Sequence, residues 1–167
     1  MHDTRGTTGT GRHRRVRRLT LVTILFAALT VGATACLPPP APPDGVTTGV
    51  FNATNADRAA NGLPTLGWNN QLAGLASNWA AHLAAANTGL VHQDLTSVMY
   101  SPGYEGYSTL GENLLVGPQS MGTDAMEAAW RGSPGHWANI VRGTFTSVGV
   151  GYAYSNGKIW VAVEFGG

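Results

Sequence analysis

The stretch WRGSPGHWANIVRGTFTSVGVGYAYSNGKIWVAVEF, residues 130–165, decides the fold class. Within it, Ser133-Pro134 is suited to begin a short helix, because serine caps helix N-termini and proline fits the first turn. Ser147–Ala153 and Lys158–Phe165 alternate as strands do, and residues 155–157 (Ser-Asn-Gly) predict a tight hairpin turn between them. Helices combined with an antiparallel hairpin indicate an α+β fold.

Working outward from this stretch, three more helices and a strand are predicted. Residues 46–61 form a first helix that ends before a glycine and a proline, and Thr123–Arg131 forms another. Residues 69–87 carry the strongest helical period, with a predicted buried stripe of Leu72, Leu75, Ala76, Trp79, Leu83 and Ala86.

The segment between the long helix and the C-terminal half is predicted as a surface loop followed by a strand. Met99–Leu110 carries three tyrosines among glycines, and these could rim a binding site or simply pack as a loop. Leu110–Val116 is predicted as a short strand. His82 lies off the apolar stripe of its helix and is expected to face solvent, with no functional role.

Charge divides the chain into two unlike parts. The first 35 residues carry six arginines and one aspartate, whereas the chain from residue 36 carries four basic and eight acidic residues. Only 11% of the whole chain is charged and 43% is hydrophobic, which is typical of a folded domain rather than a charged disordered tail. An acidic domain with scattered bases lacks the footprint of a nucleic-acid-binding protein, so no nucleic-acid partner is expected.

Residues 1–35 have the layout of a secretory signal peptide. A basic block, RHRRVRR at residues 12–18, precedes the apolar run Leu19–Val31 and the small residues Gly32–Ala35. This is the order of charged end, apolar core and cleavage site. The apolar run is shorter than the roughly 20 residues of a membrane-spanning helix.

The single cysteine, Cys36, follows the small residues directly and resembles the lipidated cysteine of a bacterial lipoprotein. Lipidation would anchor the protein at the outer face of the cell membrane; plain cleavage after Ala35 would release a secreted protein. Residues 36–45 are rich in proline and predict an extended tether. The folded domain is therefore expected over residues 46–167, without a disulfide of its own.

A series of motifs follows in a recognisable order along this domain. They are Asn55-x-x-Arg58, Gly62-Leu63-Pro64-x-Leu66-x-Trp68, His92, Gly111-Glu112-Asn113-Leu114, Trp130-x-x-Ser133-Pro134-Gly135-His136-x-x-Asn139-Ile140, Phe145-x-x-Val148-Gly149-Val150-Gly151 and Trp160-Val161-x-x-x-Phe165-Gly166. The ordered set closely resembles the CAP superfamily of cysteine-rich secretory, antigen 5 and pathogenesis-related proteins, in its bacterial form, whose domain is also called the SCP domain.

The resemblance implies a three-layer α-β-α sandwich with a surface cleft lined by two histidines and two glutamates. His92, Glu112 and His136 match the first histidine, one glutamate and the second histidine. The second glutamate usually follows the tryptophan by three residues, and this chain has Ser133 there, as bacterial members commonly do. Ser133 is thus a secondary cleft candidate, although a helix cap explains it better than a nucleophile does.

Two histidines near a carboxylate can bind a divalent ion such as zinc, with water completing the shell. Glu112 would be a third ligand or would orient a histidine, and Glu127 is considered as a compensating carboxylate. The helix dipole at the N-terminus of its helix is expected to keep His136 neutral. The alternative interpretation is that these groups only hydrogen-bond one another and hold a strand against a helix.

The function predicted from these observations is that of an exported, monomeric binding or interaction module at the cell surface. Its ligand would be a small molecule, a lipid or a component of the cell envelope. The alternative is a metal-dependent hydrolase acting on peptide or cell-wall substrates. Because no nucleophile motif or second catalytic acid accompanies the cleft residues, the sequence favours a binding module over an enzyme.

Overall fold

The computed structural model describes residues 45–167. The predicted signal peptide, the Cys36 lipidation site and the tether up to residue 44 lie outside the described residues. Among the residues that are described, no helix is both long enough and apolar enough to span a bilayer.

The domain is built from five helices and four strands within residues 45–167. In chain order they are α1 (Gly45–Ala60), β1 (Gly67–Trp68), α2 (Asn70–Ala86), α3 (Leu95–Met99), β2 (Leu110–Pro118), α4 (Thr123–Arg131), α5 (Pro134–Ile140), β3 (Ser147–Ser155) and β4 (Lys158–Gly166). Every helix and strand predicted from the sequence is present. Helix α3 and the two-residue strand β1 were not predicted, because both are too short to produce a periodic signal.

The four strands form one sheet in the order β1-β3-β4-β2. Strand β1 pairs parallel to β3, whereas β4 pairs antiparallel to both β3 and β2. The hairpin between β3 and β4 turns at Asn156 and Gly157, whose φ angles are 53° and 70°. Two consecutive positive φ angles match the type I′ turn that the Asn-Gly pair favours, so the predicted hairpin is confirmed.

Helices cover both faces of the sheet, which gives the three layers. On one face, Val148, Val150, Val161 and Val163 pack with Val50 of α1, with Met126 and Trp130 of α4 and with Ile140 of α5. On the other face, Trp160 and Ala162 pack against the buried alanines of α2. Because its residues point alternately to two buried faces, β4 is apolar along almost its whole length. The α+β sandwich predicted from the sequence is confirmed.

The buried face of α2 differs in part from the predicted stripe. Its buried residues are Leu72, Ala76, Ala80, Leu83 and Ala84, whereas Leu75 and Trp79 are half-buried and Ala86 is exposed. The reason lies in β3, where a Cβ atom on Gly149 or Gly151 would overlap the α2 backbone. The helix therefore lies directly on the glycines, and its small side chains rather than its large ones meet the sheet.

Two polar residues of α1 hold the loops around the sheet. The buried guanidinium of Arg58 donates to the carbonyls of four residues, Pro64, Ile140, Arg142 and Phe145. Asn55 both donates to and accepts from the backbone of Leu66. Because Arg58 is fully buried and donates to four carbonyls, it fixes loop positions and is not accessible to a ligand from solvent.

Candidate functional site

Glu112 anchors the candidate site from the edge strand β2. It lies within the run Gly111–Leu115, which is buried throughout, and the Glu112 side chain is only 1% exposed. The Asn139 amide of α5 donates to the Glu112 backbone carbonyl (3.1 Å) and to the Asn113 side chain (3.0 Å). These two bonds tie α5 to the part of β2 that carries the carboxylate.

His92 contacts Glu112 directly. Its Nδ1 lies 2.5 Å from Glu112 Oε1, and the imidazole is 61% exposed. Glu112 accepts a hydrogen bond from Nδ1 of His92. Nε2 is therefore the ring nitrogen that remains able to bind a ligand. The two residues, both predicted from the sequence to line one cleft, are in direct contact.

Gln93 is a site residue that the sequence analysis missed. Its backbone N–H donates to Glu112 Oε1 (3.2 Å), and its side-chain amide donates to Glu112 Oε2 (3.0 Å) and to Glu164 Oε1 (2.7 Å). Together with His92, it gives both oxygens of Glu112 at least one partner. Glu112 is therefore positioned to orient His92 rather than to act as an open ligand.

Glu164 is the second missed residue, and it supplies a second carboxyl group at this site. It lies opposite Glu112 in the antiparallel pairing of β4 with β2, and it is fully buried. Burial, followed by the charge of Glu112 and a hydrogen bond to it, raises the pKa of Glu164 to about 10. The raised pKa keeps Glu164 protonated at neutral pH.

The sequence did contain a signal for Glu164. It stands inside IWVAVEF, an apolar run typical of a strand that is buried on both faces. An acid at such a position must be neutralised or paired.

His136 joins the site from the first turn of α5. It is half-buried, and its backbone carbonyl accepts a hydrogen bond from Asn113 (3.0 Å). Burial lowers the pKa of the imidazole, and the charge of His92 lowers it further. Both effects favour the neutral ring, which is the form that the sequence analysis expects for His136.

Ser133 and Glu127, the two secondary cleft candidates, have contacts different from those of His92 and Glu112. Ser133 is the N-cap residue of α5, with Pro134 in the first turn as predicted, but its side chain makes no capping hydrogen bond. Glu127 is buried between α4 and α1, where it accepts a hydrogen bond from Thr54 (3.3 Å) and faces Asp57. The compensating carboxylate beside Glu112 is thus Glu164, and Glu127 contacts α1 instead.

Comparison with known proteins agrees with this architecture. The model of the CAP family, described as the cysteine-rich secretory protein family, matches residues 51–164. The chain belongs to the CAP family. Its match to the family spans every element that contributes to the site, from α1 to Glu164 in β4.

Three bacterial proteins illustrate this CAP domain's relatives. The uncharacterized protein YkwD of Bacillus subtilis (strain 168) is 34% identical over 116 residues, which cover 66% of this chain and 43% of YkwD. An extracellular SCP-domain protein of Bacillus anthracis (strain Ames) is 26% identical, with a TM-score of 0.58 over 72% of this chain and 40% of its own. An outer surface protein of Borrelia burgdorferi is 18% identical, with a TM-score of 0.59 over 70% of this chain and 88% of its own. The chain thus spans less than half the length of the two Bacillus proteins.

The CAP-domain site offers two imidazoles to a metal ion. Among residues 45–167, no three His, Cys, Asp or Glu side chains are arranged to hold a metal together. This agrees with the geometry of Glu112, whose oxygens are occupied by His92 and Gln93. A carboxylate that fixes the tautomer of a ligating histidine is a common arrangement behind metal sites. The side chains not already committed to Glu112 or Gln93 are thus the His92 Nε2 nitrogen and the His136 imidazole.

Proposed function

We propose that this chain is an exported CAP-domain binding module whose ligand site is the cleft of His92, Glu112 and His136. The observation that carries the proposal is the 2.5 Å contact between His92 Nδ1 and Glu112 Oε1. It joins an exposed imidazole to a buried carboxylate that Gln93 holds in place. A hydrogen bond with a purely structural role would not require an exposed imidazole oriented by a buried carboxylate that is itself held by hydrogen bonds.

The two histidines have complementary properties for holding a divalent cation such as zinc. His92 is exposed and oriented by Glu112, whereas the lowered pKa of His136 keeps its ring neutral to more acid pH. Neutral imidazole nitrogen is the form that ligates. When bound, the cation would supply a positive centre for an anionic or carbonyl group of a small-molecule, lipid or cell-envelope ligand.

Export and anchoring belong to the same proposal. The Bacillus anthracis relative is described as extracellular and the Borrelia relative as an outer surface protein. The basic and apolar leader of this chain and its single cysteine, Cys36, support a lipid-anchored protein at the outer face of the membrane. A surface location would present the cleft to ligands outside the cell.

The test is zinc titration by calorimetry on the purified protein and on His92→Ala with His136→Ala. His82→Ala is the matched control, because His82 is an exposed histidine that stacks on Trp79 (4.7 Å between ring centroids) and is not one of the three proposed cleft residues. We expect wild type and the control to bind zinc with one stoichiometric site and the double variant to lose it. The affinity should fall as pH drops through the histidine range near 6.

Equal zinc affinity in wild type and the double variant would refute the metal role. The same samples should be assayed on peptide and cell-wall substrates with and without zinc. If wild type shows zinc-dependent turnover and the double variant loses it, the protein is a metal-dependent hydrolase rather than a binding module.

A further inference from the structure

A second pocket lies in the tyrosine-bearing segment between α3 and β2. It has a volume of about 380 Å³ and is lined by Met99, Tyr100, Glu105, Tyr107 and Ser108. This volume falls within the usual range for small-molecule sites. None of these five residues belongs to the His92 cleft, so the pocket requires an explanation of its own.

The segment that forms the pocket is fixed at several points. The Gln71 side chain of α2 donates to the Gly103 carbonyl (2.7 Å), and the Gly103 N–H donates to the Glu105 carboxylate (2.7 Å). Ser108 donates through both its backbone N–H and its hydroxyl to the Gly167 carbonyl. The Tyr107 ring packs so closely on Gly166 that a Cβ atom there would meet it. The pocket is therefore preformed rather than a transient gap in a loose loop.

The lining combines aromatic rings with a carboxylate. Burial, followed by the neighbouring Tyr104, raises the pKa of Tyr107, so its phenol stays neutral and its ring keeps an electron-rich face. Tyr100 is 81% exposed, which is unusual for so large a ring and leaves it available to a ligand. Ring faces beside a carboxylate attract cations, and quaternary ammonium groups above all.

The basic residues of the described domain do not neutralise the negative charge of Glu105 in this pocket. No lysine or arginine occurs in the sequence between Arg58 and Arg131. Arg58 is bonded to buried carbonyls, Arg131 pairs with Asp57, and Arg142 and Lys158 lie over Phe145 and Trp160. The lining itself contains no base to repel a cationic ligand.

We propose that this pocket binds an organic cation through a quaternary ammonium group held between the Tyr100 and Tyr107 rings and the Glu105 carboxylate. The five lining residues include none of the proposed cleft residues, and the proposal does not depend on metal binding in the cleft.

The test uses choline chloride as the probe in an NMR titration of the purified protein at low salt. The comparison ligand is 3,3-dimethyl-1-butanol, which has the shape of choline without its charge. Tyr100→Leu and Glu105→Gln are the test variants, because Tyr100 is exposed and a glutamine can still accept the Gly103 bond. Tyr154→Leu is the matched control, since Tyr154 is 48% exposed near the opposite end of the β3–β4 hairpin.

We expect saturable shifts in residues 99–108 with choline and none with the neutral alcohol. Each test variant should weaken choline about three- to tenfold, which is the range of one cation–π or charge contact. The Tyr154→Leu control and the His92→Ala, His136→Ala double variant should bind as wild type does. Equal binding of the alcohol, absence of saturable shifts with choline, or binding of neutral sugars instead of choline would overturn the proposal.

Discussion

Glu112 and Glu164 face each other across β2 and β4, and the amide of Gln93 donates to both carboxyls. Ionising Glu164 beside Glu112 is costly, because burial and the charge of Glu112 both raise the pKa of Glu164. Burial decides which one stays neutral, since Glu164 is the more deeply buried. His92, whose ring is 61% exposed, therefore contacts a buried Glu112 that lies opposite a neutral Glu164.

We predict that Glu164→Gln makes the protein relatively more stable as pH rises. The pKa of Glu164 is raised in the folded protein, so the folded state binds more protons than the unfolded state above pH 4.5. Wild-type stability should therefore fall as pH rises from about 4.5 towards the raised pKa. Glutamine resembles the protonated acid and escapes this loss.

Urea unfolding at pH 4, 6 and 8 measures the effect. Wild type and Glu164→Gln should be similar at pH 4 and diverge in favour of the variant at pH 8. Glu105→Gln, at an exposed acid, is the control. A constant difference between wild type and Glu164→Gln at all three pH values would show that Glu164 is not protonated in the fold.

We predict that Glu112→Gln weakens zinc binding about tenfold without abolishing it. Glutamine still offers an oxygen to His92 Nδ1–H but lacks the charge, and loss of such a supporting carboxylate commonly costs about 10–100-fold in metal affinity. Zinc calorimetry beside His92→Ala measures the difference. Complete loss of binding in Glu112→Gln would mean that Glu112 is itself a ligand, and unchanged affinity would mean that its contact with His92 has no role in binding.

Features of this domain that depend on neighbouring residues could be predicted from the sequence, whereas features that depend on distant residues could not. The hairpin of Ser147–Ser155 and Lys158–Gly166 is encoded within one short stretch by alternating side chains and an Asn-Gly turn. Its strand ends were predicted to within two residues. Gln93 and Glu164 are 19 and 52 residues away from Glu112, so their placement beside it depends on strand pairing and loop position, although the apolar run around Glu164 did mark that acid as unusual. Glu127 was misplaced for the same reason, because its surroundings depend on how α4 packs on α1.

We predict that Trp130→Ala destabilises the domain by about 3–5 kcal/mol, the range for removing a large buried aromatic side chain. Trp130 is 1% exposed, and its indole N–H donates to the Leu114 carbonyl (3.0 Å). Chemical unfolding of Trp130→Ala and of Trp137→Ala, a half-buried tryptophan of α5, measures the contrast. A loss below about 1 kcal/mol in Trp130→Ala would contradict a core role.

We predict that Cys36 is lipidated after removal of residues 1–35. Cys36→Ala should then move the protein from the membrane fraction to the soluble fraction or the medium. Mass spectrometry of the mature N-terminus checks the modification directly. Wild-type protein found entirely in the medium with an unmodified N-terminus would contradict the anchor and leave plain secretion.

We predict that Glu127→Gln stabilises the domain at pH 8 but not at pH 4. Burial, followed by the charge of Asp57, raises the pKa of Glu127 to about 7, and its Oε1 has no hydrogen-bond partner among the described residues. A raised pKa means that wild-type stability falls as pH increases from about 4.5 through 7 and levels off above it. Glutamine removes that ionisation while its carbonyl still accepts the Thr54 hydroxyl, so the gain at pH 8 should be on the order of 1–3 kcal/mol. Urea unfolding at both pH values measures it, with the exposed Asp124→Asn on the same helix as control, and a gain that is equal at pH 4 and pH 8 would show that Glu127 does not titrate in this window.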